Sequence, residues 1–388
     1  MARKLEHIAF VTSNYPSAAM PGVGTFVEQL VRAVAREGVR CSVVFPLPIH
    51  RWWSERAAAR ACPTPPCPEN GTALIRPPYV SLSTRRLGPV NTAVATQWLF
   101  ERAVERALHG MSEPPDAVYG HFLYSAGAAA IRMGRRLGIP SFVAVGEGTF
   151  WSIAPLGLAR AKRDFRDATG MIAVSTVLKG KLIGELGIPE EKISVFPNGV
   201  NLQEFFPRER RQMRTKYALP PDRFLVAYVG NFLPEKGVAR AAEAIRDLEG
   251  VGGMFVGSGP LRPSGPNVVF EGRVPHACVP ELLSAADAFL LPSDVEGSSN
   301  ATVEGMACGL PVIVSKGEFN DEIVDDQAAI RVDPDDIPAI RRSIVALKED
   351  PALRRKMSLA ALQKAKTLDI HERARSILDW MESQIAPR

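Results

Sequence analysis

The chain has 388 residues, 46% hydrophobic and 23% charged, with a mean hydropathy near zero. That length exceeds one comfortable core and fits two domains of ordinary size, and the composition excludes a fibrous or disordered chain. Net charge is +5, unevenly spread: residues 1–203 hold 23 Lys and Arg against 15 Asp and Glu, and the remainder holds 24 against 27.

The amino terminus carries Arg3 and Lys4 and then a short apolar run, His7 to Val11. This reads as a first strand and lacks the length and cleavage site of a signal peptide. No stretch approaches the ~18 uninterrupted apolar residues of a membrane span, so a cytoplasmic protein is expected. From there, short β-rich runs alternate with helical patterns, as in βα units that build parallel sheets. The first series of strands is predicted at His7–Ser13, Cys41–Pro46, Asp116–His121, Ser141–Gly146, Gly170–Ser175 and Ile193–Asn198. Residues 50–90 interrupt the rhythm with Arg51-Trp52-Trp53, a Pro-rich piece from Cys62 to Pro68, and Arg85-Arg86; this reads as a loop or lid.

Pro197-Asn198-Gly199 and then Phe205-Phe206-Pro207, with the charged run Arg208 to Arg214, punctuate a linker near residue 203. The second series is predicted at Phe224–Gly230, Gly252–Gly257, Asn267–Gly272, Ala288–Pro292, Pro311–Ser315 and Ala328–Val332, and His371 to Ile385 has the pattern of an amphipathic helix. Two doubly wound units in tandem follow, for which ligands are expected beyond the carboxyl ends of the strands, in the cleft between units.

The five cysteines (Cys41, Cys62, Cys67, Cys278, Cys308) form an odd, scattered set that does not make a disulfide framework, and Cys62 and Cys67 lack a second pair to complete a zinc site. The basic excess of the first half gathers in Arg132/Arg135/Arg136, Arg160/Lys162/Arg163/Arg166 and Lys179/Lys181. Such a face suits an anionic membrane, an anionic acceptor or nucleic acid, or is simply solvated.

Three segments carry candidate chemistry. Pro21-Gly22-Val23-Gly24-Thr25 leads from the first strand into a helix; its glycines let a phosphate approach the helix amino terminus, or merely join strand to helix. Val229-Gly230-Asn231-Phe232-Leu233-Pro234-Glu235-Lys236-Gly237 sets a lysine at the mouth of a helix, where a cation can neutralise a departing diphosphate or simply face solvent. The third runs from Asp294 to Val312. Within it Glu296 precedes the small turn Gly297-Ser298-Ser299-Asn300, and Glu304 falls one to two turns into an apolar helix. A carboxylate buried there needs a hydroxyl or cationic partner, and a ribose diol supplies two donors. Ser298 to Asn300 offer helix-start amides to phosphate oxygens, or the serines serve as caps.

The chain resembles the retaining glycosyltransferases of family 4 nearly end to end. Glu296 and Glu304 match the E-x7-E element, followed by Met306-Ala307-Cys308-Gly309-Leu310-Pro311-Val312. Ser175-Thr176-Val177-Leu178-Lys179, Leu186-Gly187-Ile188-Pro189 and Val195-Phe196-Pro197-Asn198-Gly199-Val200 match the segment that closes the family's first domain.

The resemblance implies a GT-B fold, two doubly wound α/β Rossmann-like domains facing across a cleft. They are an acceptor-binding domain over 1–203, a donor-binding domain over 204–368, and a helix over 369–388 returning to the first. It implies that Glu304 holds the donor ribose, Glu296 the transferred sugar and Lys236 the diphosphate. Gly22 would offer its amide to the distal phosphate, Gly24 would share that loop, and Arg273-Val274 would line the base. His121 sits where the family keeps a histidine near acceptor or sugar; a satisfied core histidine is the other reading.

Asn231 stands in place of an arginine partner to the lysine, and Pro21 in place of the loop's first glycine. Gly146-Glu147-Gly148 replaces a His-Gly, so Glu147 becomes a candidate sugar or acceptor contact. The implied partners are a nucleoside diphosphate sugar, with UDP preferred over GDP, and a glycan, lipid-linked or small-molecule acceptor. The basic excess of the first half, rather than the resemblance, suggests contact with the inner face of an anionic membrane, and no nucleic acid is expected. No cofactor and no metal are expected, because Asp333-Pro334-Asp335 reads as turn chemistry. Two other readings remain at this level: a nucleotide- or membrane-binding protein without turnover, and a sugar-nucleotide epimerase.

Overall fold

The computed structural model describes residues 4–61, 72–82, 85–88 and 90–385; the Pro-rich piece from Cys62 to Pro68, with both its cysteines, lies outside them. The chain divides into two compact units. Met1–Phe196 with His371–Arg388 form the first, and Pro197–Ile370 the second.

In the first unit the strands are β1 (His7–Val11), β2 (Arg40–Val44), β3 (Ala73–Ile75), β4 (Ala117–His121), β5 (Ser141–Val145), β6 (Gly170–Ala173) and β7 (Ile193–Val195). They form one parallel sheet in the order β7-β6-β5-β4-β1-β2-β3. β1, β4, β5 and β6 are buried along their whole length. A run of Ile, Val, Ala and Phe with no polar alternation is what a strand covered on both faces requires. The chain reverses direction of growth between β1 and β4, so the switch point of this sheet lies there.

Helices α1 (Thr25–Arg36), α2 (Ile49–Ala61), α3 (Thr92–His109), α4 (Ala128–Leu137) and α5 (Leu158–Phe165) flank the strands. The structure corrects the reading of residues 50–90 as loop or lid. Its first part is α2, and Ala73–Ile75 adds the edge strand β3 beside β2.

The second unit repeats the plan with β8 (Phe224–Val229), β9 (Val251–Val256), β10 (Val268–Gly272), β11 (Ala288–Leu291), β12 (Val312–Ser315) and β13 (Ala329–Val332). The order is β10-β9-β8-β11-β12-β13, again all parallel, with the switch point between β8 and β11. Its helices include α6 (Arg210–Lys216), α7 (Val238–Ile245) and α8 (Asn300–Ala307).

The charged run at Arg208–Arg214, which opens the second series, carries a buried structural pair. Arg214 on α6 is buried, pairs with Asp287 at 2.6 Å, and donates to the carbonyls of Ala285, Pro221 and Arg223. Asp287 in turn accepts from the Leu225 amide at 2.8 Å, so the buried pair is hydrogen-bonded on both sides, as a buried charge must be.

The last helix, α9 (Ile370–Ile385), runs almost entirely within the first unit. Trp380 packs edge-on against Phe142 and Phe196, and Glu382 accepts from the Leu5 amide at 2.9 Å. No helix among the described residues is long and apolar enough to cross a membrane.

Candidate active site

In the second unit the loops after β8 and β11 lie side by side at the switch point. Beyond β8, the buried Tyr228 hydroxyl donates to the carbonyls of Asn231 (3.0 Å) and Lys236 (3.2 Å), which holds the loop against the strand that feeds it. Pro234–Lys236 makes one 3-10 turn, and Gly237 leaves it with φ of 71°. A Cβ at Gly237 would come within 2.1 Å of the Pro292 carbonyl oxygen. Only glycine lets the two loops touch there.

Arg240, the third residue of α7, donates to that same carbonyl (2.9 Å) and pairs with Asp294 (2.6 Å) and Asp335 (2.9 Å). The loops are thereby cross-braced. Asp333 accepts from the Asp335 amide at 3.1 Å, an Asx turn as read from the sequence.

Lys236 and Glu296 meet on this brace, Nζ to Oε2 at 2.7 Å, both side chains largely shielded from solvent. Downstream, Ser299 caps α8 by accepting from the Thr302 amide at 3.2 Å, and Ser298 accepts from the Asn198 amide at 3.2 Å. The capping role is therefore real for Ser299, while Gly297 and Ser298 are buried and Asn300 is half-buried.

Glu304 lies in the second turn of α8, its side chain 12% exposed, and its Oε1 is 3.3 Å from His276 Nε2. His276 begins the turn after Gly272-Arg273-Val274 and packs edge-on against Phe205. This imidazole is the polar partner that a shielded Glu304 requires, and it ties the Arg273-Val274 turn to Glu304. Arg273 itself is exposed, Val274 half-buried and Asn231 exposed.

In the first unit, Gly24 starts α1 with φ of 77°, and a Cβ there would fall 2.5 Å from the Asn14 carbonyl. Gly22 is exposed two residues earlier. His121 ends β4 with its ring 5.3 Å from Phe26 and 4.7 Å from Phe122. Its Nδ1 is buried and has no hydrogen-bond partner among the described residues. Burial, reinforced by Arg373, pushes its pKa down to about 3, so the ring is neutral at physiological pH.

The neighbouring strand β5, in register with β4 at His121 and Ala144, leads to Glu147. There Oε1 accepts from the Leu123 amide at 2.9 Å and Oε2 is buried without a partner among the described residues. Burial raises the Glu147 carboxyl to about 7, against several hydrogen bonds that lower it, so this group exchanges a proton near neutrality.

His276 and Arg240 do not stand out in the sequence. His276 follows a strand-end glycine by four residues, which is the only local signal it gives; Arg240 is one more helix arginine until its partners at 292, 294 and 335 are brought to it.

Comparison with known proteins agrees with this layout. Residues 20–204 match Glycosyltransferase Family 4, and residues 209–364 match Glycosyl transferases group 1. The chain is 29% identical over 316 residues to TuaC of Bacillus subtilis, assigned as a teichuronic acid biosynthesis glycosyltransferase; the match covers 79% of this chain and 80% of that protein. Among solved structures, sucrose-phosphate synthase of Thermosynechococcus elongatus superposes with a TM-score of 0.75 at 20% identity, covering 97% of each chain. HepE of Anabaena in complex with UDP-glucose gives 0.72 at 16% identity, covering 97% of this chain and 99% of that one. With its two Rossmann-like domains of the GT-B fold and the two family matches spread along it, this chain belongs to glycosyltransferase family 4.

Proposed function

We propose that this glycosyltransferase moves a sugar from a nucleoside diphosphate sugar to a hydroxyl of a glycan, lipid-linked or small-molecule acceptor, with retention of anomeric configuration and without a metal ion. The observation that carries the reading is the Lys236–Glu296 pair on braced loops at the switch point, with Glu304 on the helix that follows. A diphosphate draws the ammonium of Lys236 away from Glu296, and the freed carboxylate accepts hydroxyl hydrogens of the transferred sugar. Glu304 accepts from the two ribose hydroxyls. Arg273, Val274, Asn231 and the Gly297–Asn300 turn line the donor, and on the first unit Gly22 and Gly24 are backbone groups suited to a phosphate. UDP is the preferred base, in keeping with the UDP-glucose held by HepE, and GDP is the alternative.

In the reaction the bond between the anomeric carbon and the β-phosphate oxygen breaks, and the acceptor oxygen bonds to the same face of that carbon. The acceptor's proton passes to the departing phosphate, so no enzyme nucleophile is needed. Lys236 stabilises the charge that grows on the leaving group. His121, neutral, and Glu147 are hydroxyl contacts for sugar or acceptor on the first unit. The basic side chains of that unit are suited to an anionic membrane surface.

The reading is tested by following the anomeric proton of the product by NMR, with and without EDTA. Retained configuration at an unchanged rate is expected. Inversion refutes the mechanism, and a rate abolished by EDTA and restored by Mg²⁺ or Mn²⁺ refutes metal independence. Donor binding with no turnover of any acceptor class or of water points to a binding protein instead.

A further inference from the structure

Two basic clusters that are separate in the sequence converge on one cavity of the first unit. Its volume is about 360 Å³, and it is lined by Arg132, Arg135 and Arg136 of α4 together with Arg160 and Arg163 of α5. That size accommodates a small-molecule ligand and exceeds what a bare ion needs.

The acids near these arginines do not cancel them at the opening. Glu101 is sunk in the wall, its side chain 6% exposed; Gln97 donates to one oxygen and Arg132, itself 43% exposed, takes the other. Asp164 accepts both the Tyr124 hydroxyl (2.8 Å) and the Arg160 guanidinium (3.1 Å) on one oxygen. Arg136 is 44% exposed over the shielded Glu105, and Arg135 is 69% exposed over Asp167. Arg163 is exposed and has no acidic partner among the described residues. Arg132, Arg135 and Arg136 thus stand further out than the acids they pair with, Arg163 is exposed with none, and Arg160 (26% exposed) lies level with Asp164 (30%); each guanidinium has five donors, of which these contacts use two at most. Planar forks converging on one space are suited to the oxygens of a phosphate group, which they engage two at a time.

We propose that this cavity binds a phosphate monoester dianion, at a place in the α3, α4 and α5 layer made of none of the residues assigned to the donor or the acceptor. The inference goes beyond the transferase reading and stands without it. The monoester is either a soluble phosphorylated molecule or a lipid headgroup, since both present the same dianion.

The test uses the full chain, inorganic phosphate as probe at pH 8 and constant ionic strength with chloride as control, and the double variant Arg135→Gln/Arg163→Gln. Both positions are exposed, so the fold is kept. Calorimetric titration is expected to show phosphate binding at least about tenfold weaker in the variant, on the loss of two charge-assisted contacts. In the unaltered chain, phosphate but not chloride is expected to shield Arg160 and Arg163 from phenylglyoxal, read by mass spectrometry.

Co-sedimentation with phosphatidylcholine vesicles, with and without phosphatidic acid, separates the two sources. Pelleting that needs phosphatidic acid and both arginines assigns the headgroup, and phosphate binding without pelleting assigns a soluble ester. Equal phosphate affinity in the two chains, no binding by the unaltered chain, or arginines left unshielded each overturns the proposal.

Discussion

Replacing Glu304 by Ala removes the group assigned to the donor ribose, and the size of the loss follows from its surroundings. The side chain is 12% exposed and hydrogen-bonded on one oxygen by His276, so water does little to screen it. Two hydroxyl donors to a shielded carboxylate contribute roughly 1.5–3 kcal/mol each. Losing both costs about 3–6 kcal/mol at the transition state, a fall in kcat/KM of at least ~100-fold at about 1.36 kcal/mol per decade. Glu304→Gln keeps the volume and one acceptor oxygen and loses the charge, so a smaller fall of about tenfold is expected. The assay is release of nucleoside diphosphate from the accepted sugar nucleotide, with thermal melting as the control for folding. His276 loses an acceptor in the Ala variant, and a modest drop in melting temperature is part of the expectation. A folded Glu304→Ala chain working within threefold of the parent refutes the assignment.

Three further outcomes follow from buried charge. Burial lifts Glu147 from an ordinary 4.5 to about 7, so the folded chain holds the proton more tightly than the unfolded one. Its contribution to stability is full below pH 4.5 and is lost as pH rises toward 7, about 3 kcal/mol in all. Urea titrations of Glu147→Gln should lack that decline, and an identical pH profile to the parent contradicts it. His121 moves the other way, from 6.5 to about 3; it weakens the fold as pH falls below 6.5, and its imidazole signals should not titrate between pH 5 and 8. Breaking the buried pair with Arg214→Ala leaves Asp287 only the exposed Arg210 (2.8 Å) as a cationic partner and should cost about 2–3 kcal/mol in urea unfolding, where a loss below ~1 kcal/mol would show the pair to be dispensable.

The central strands were legible because each is a short, largely apolar, β-rich run between turn signals, as a doubly covered parallel sheet requires; β8 and β11 are examples. What stayed hidden depends on residues far apart in the chain. α2 carries Trp, Arg and Ala with no apolar stripe, so periodicity cannot mark it as a helix. The role of Arg214 was hidden because its partner, Asp287, comes 73 residues later. The partner of Glu304 was required by burial but not nameable, since His276 reaches it across 28 residues from another strand end. The pairing of Lys236 with Glu296 spans 60 residues, and the motif gave both residues without giving their contact.

Donor binding in this site requires a diphosphate to displace Glu296 from Lys236. Calorimetric titration of the parent chain and of Lys236→Ala with UDP and GDP tests this most directly. One nucleotide, UDP by preference, should bind the parent, and its affinity should fall by at least about tenfold in the variant, as expected for one lost charge-assisted contact. Equal affinity in the two chains, or binding of neither nucleotide by the parent, would contradict it.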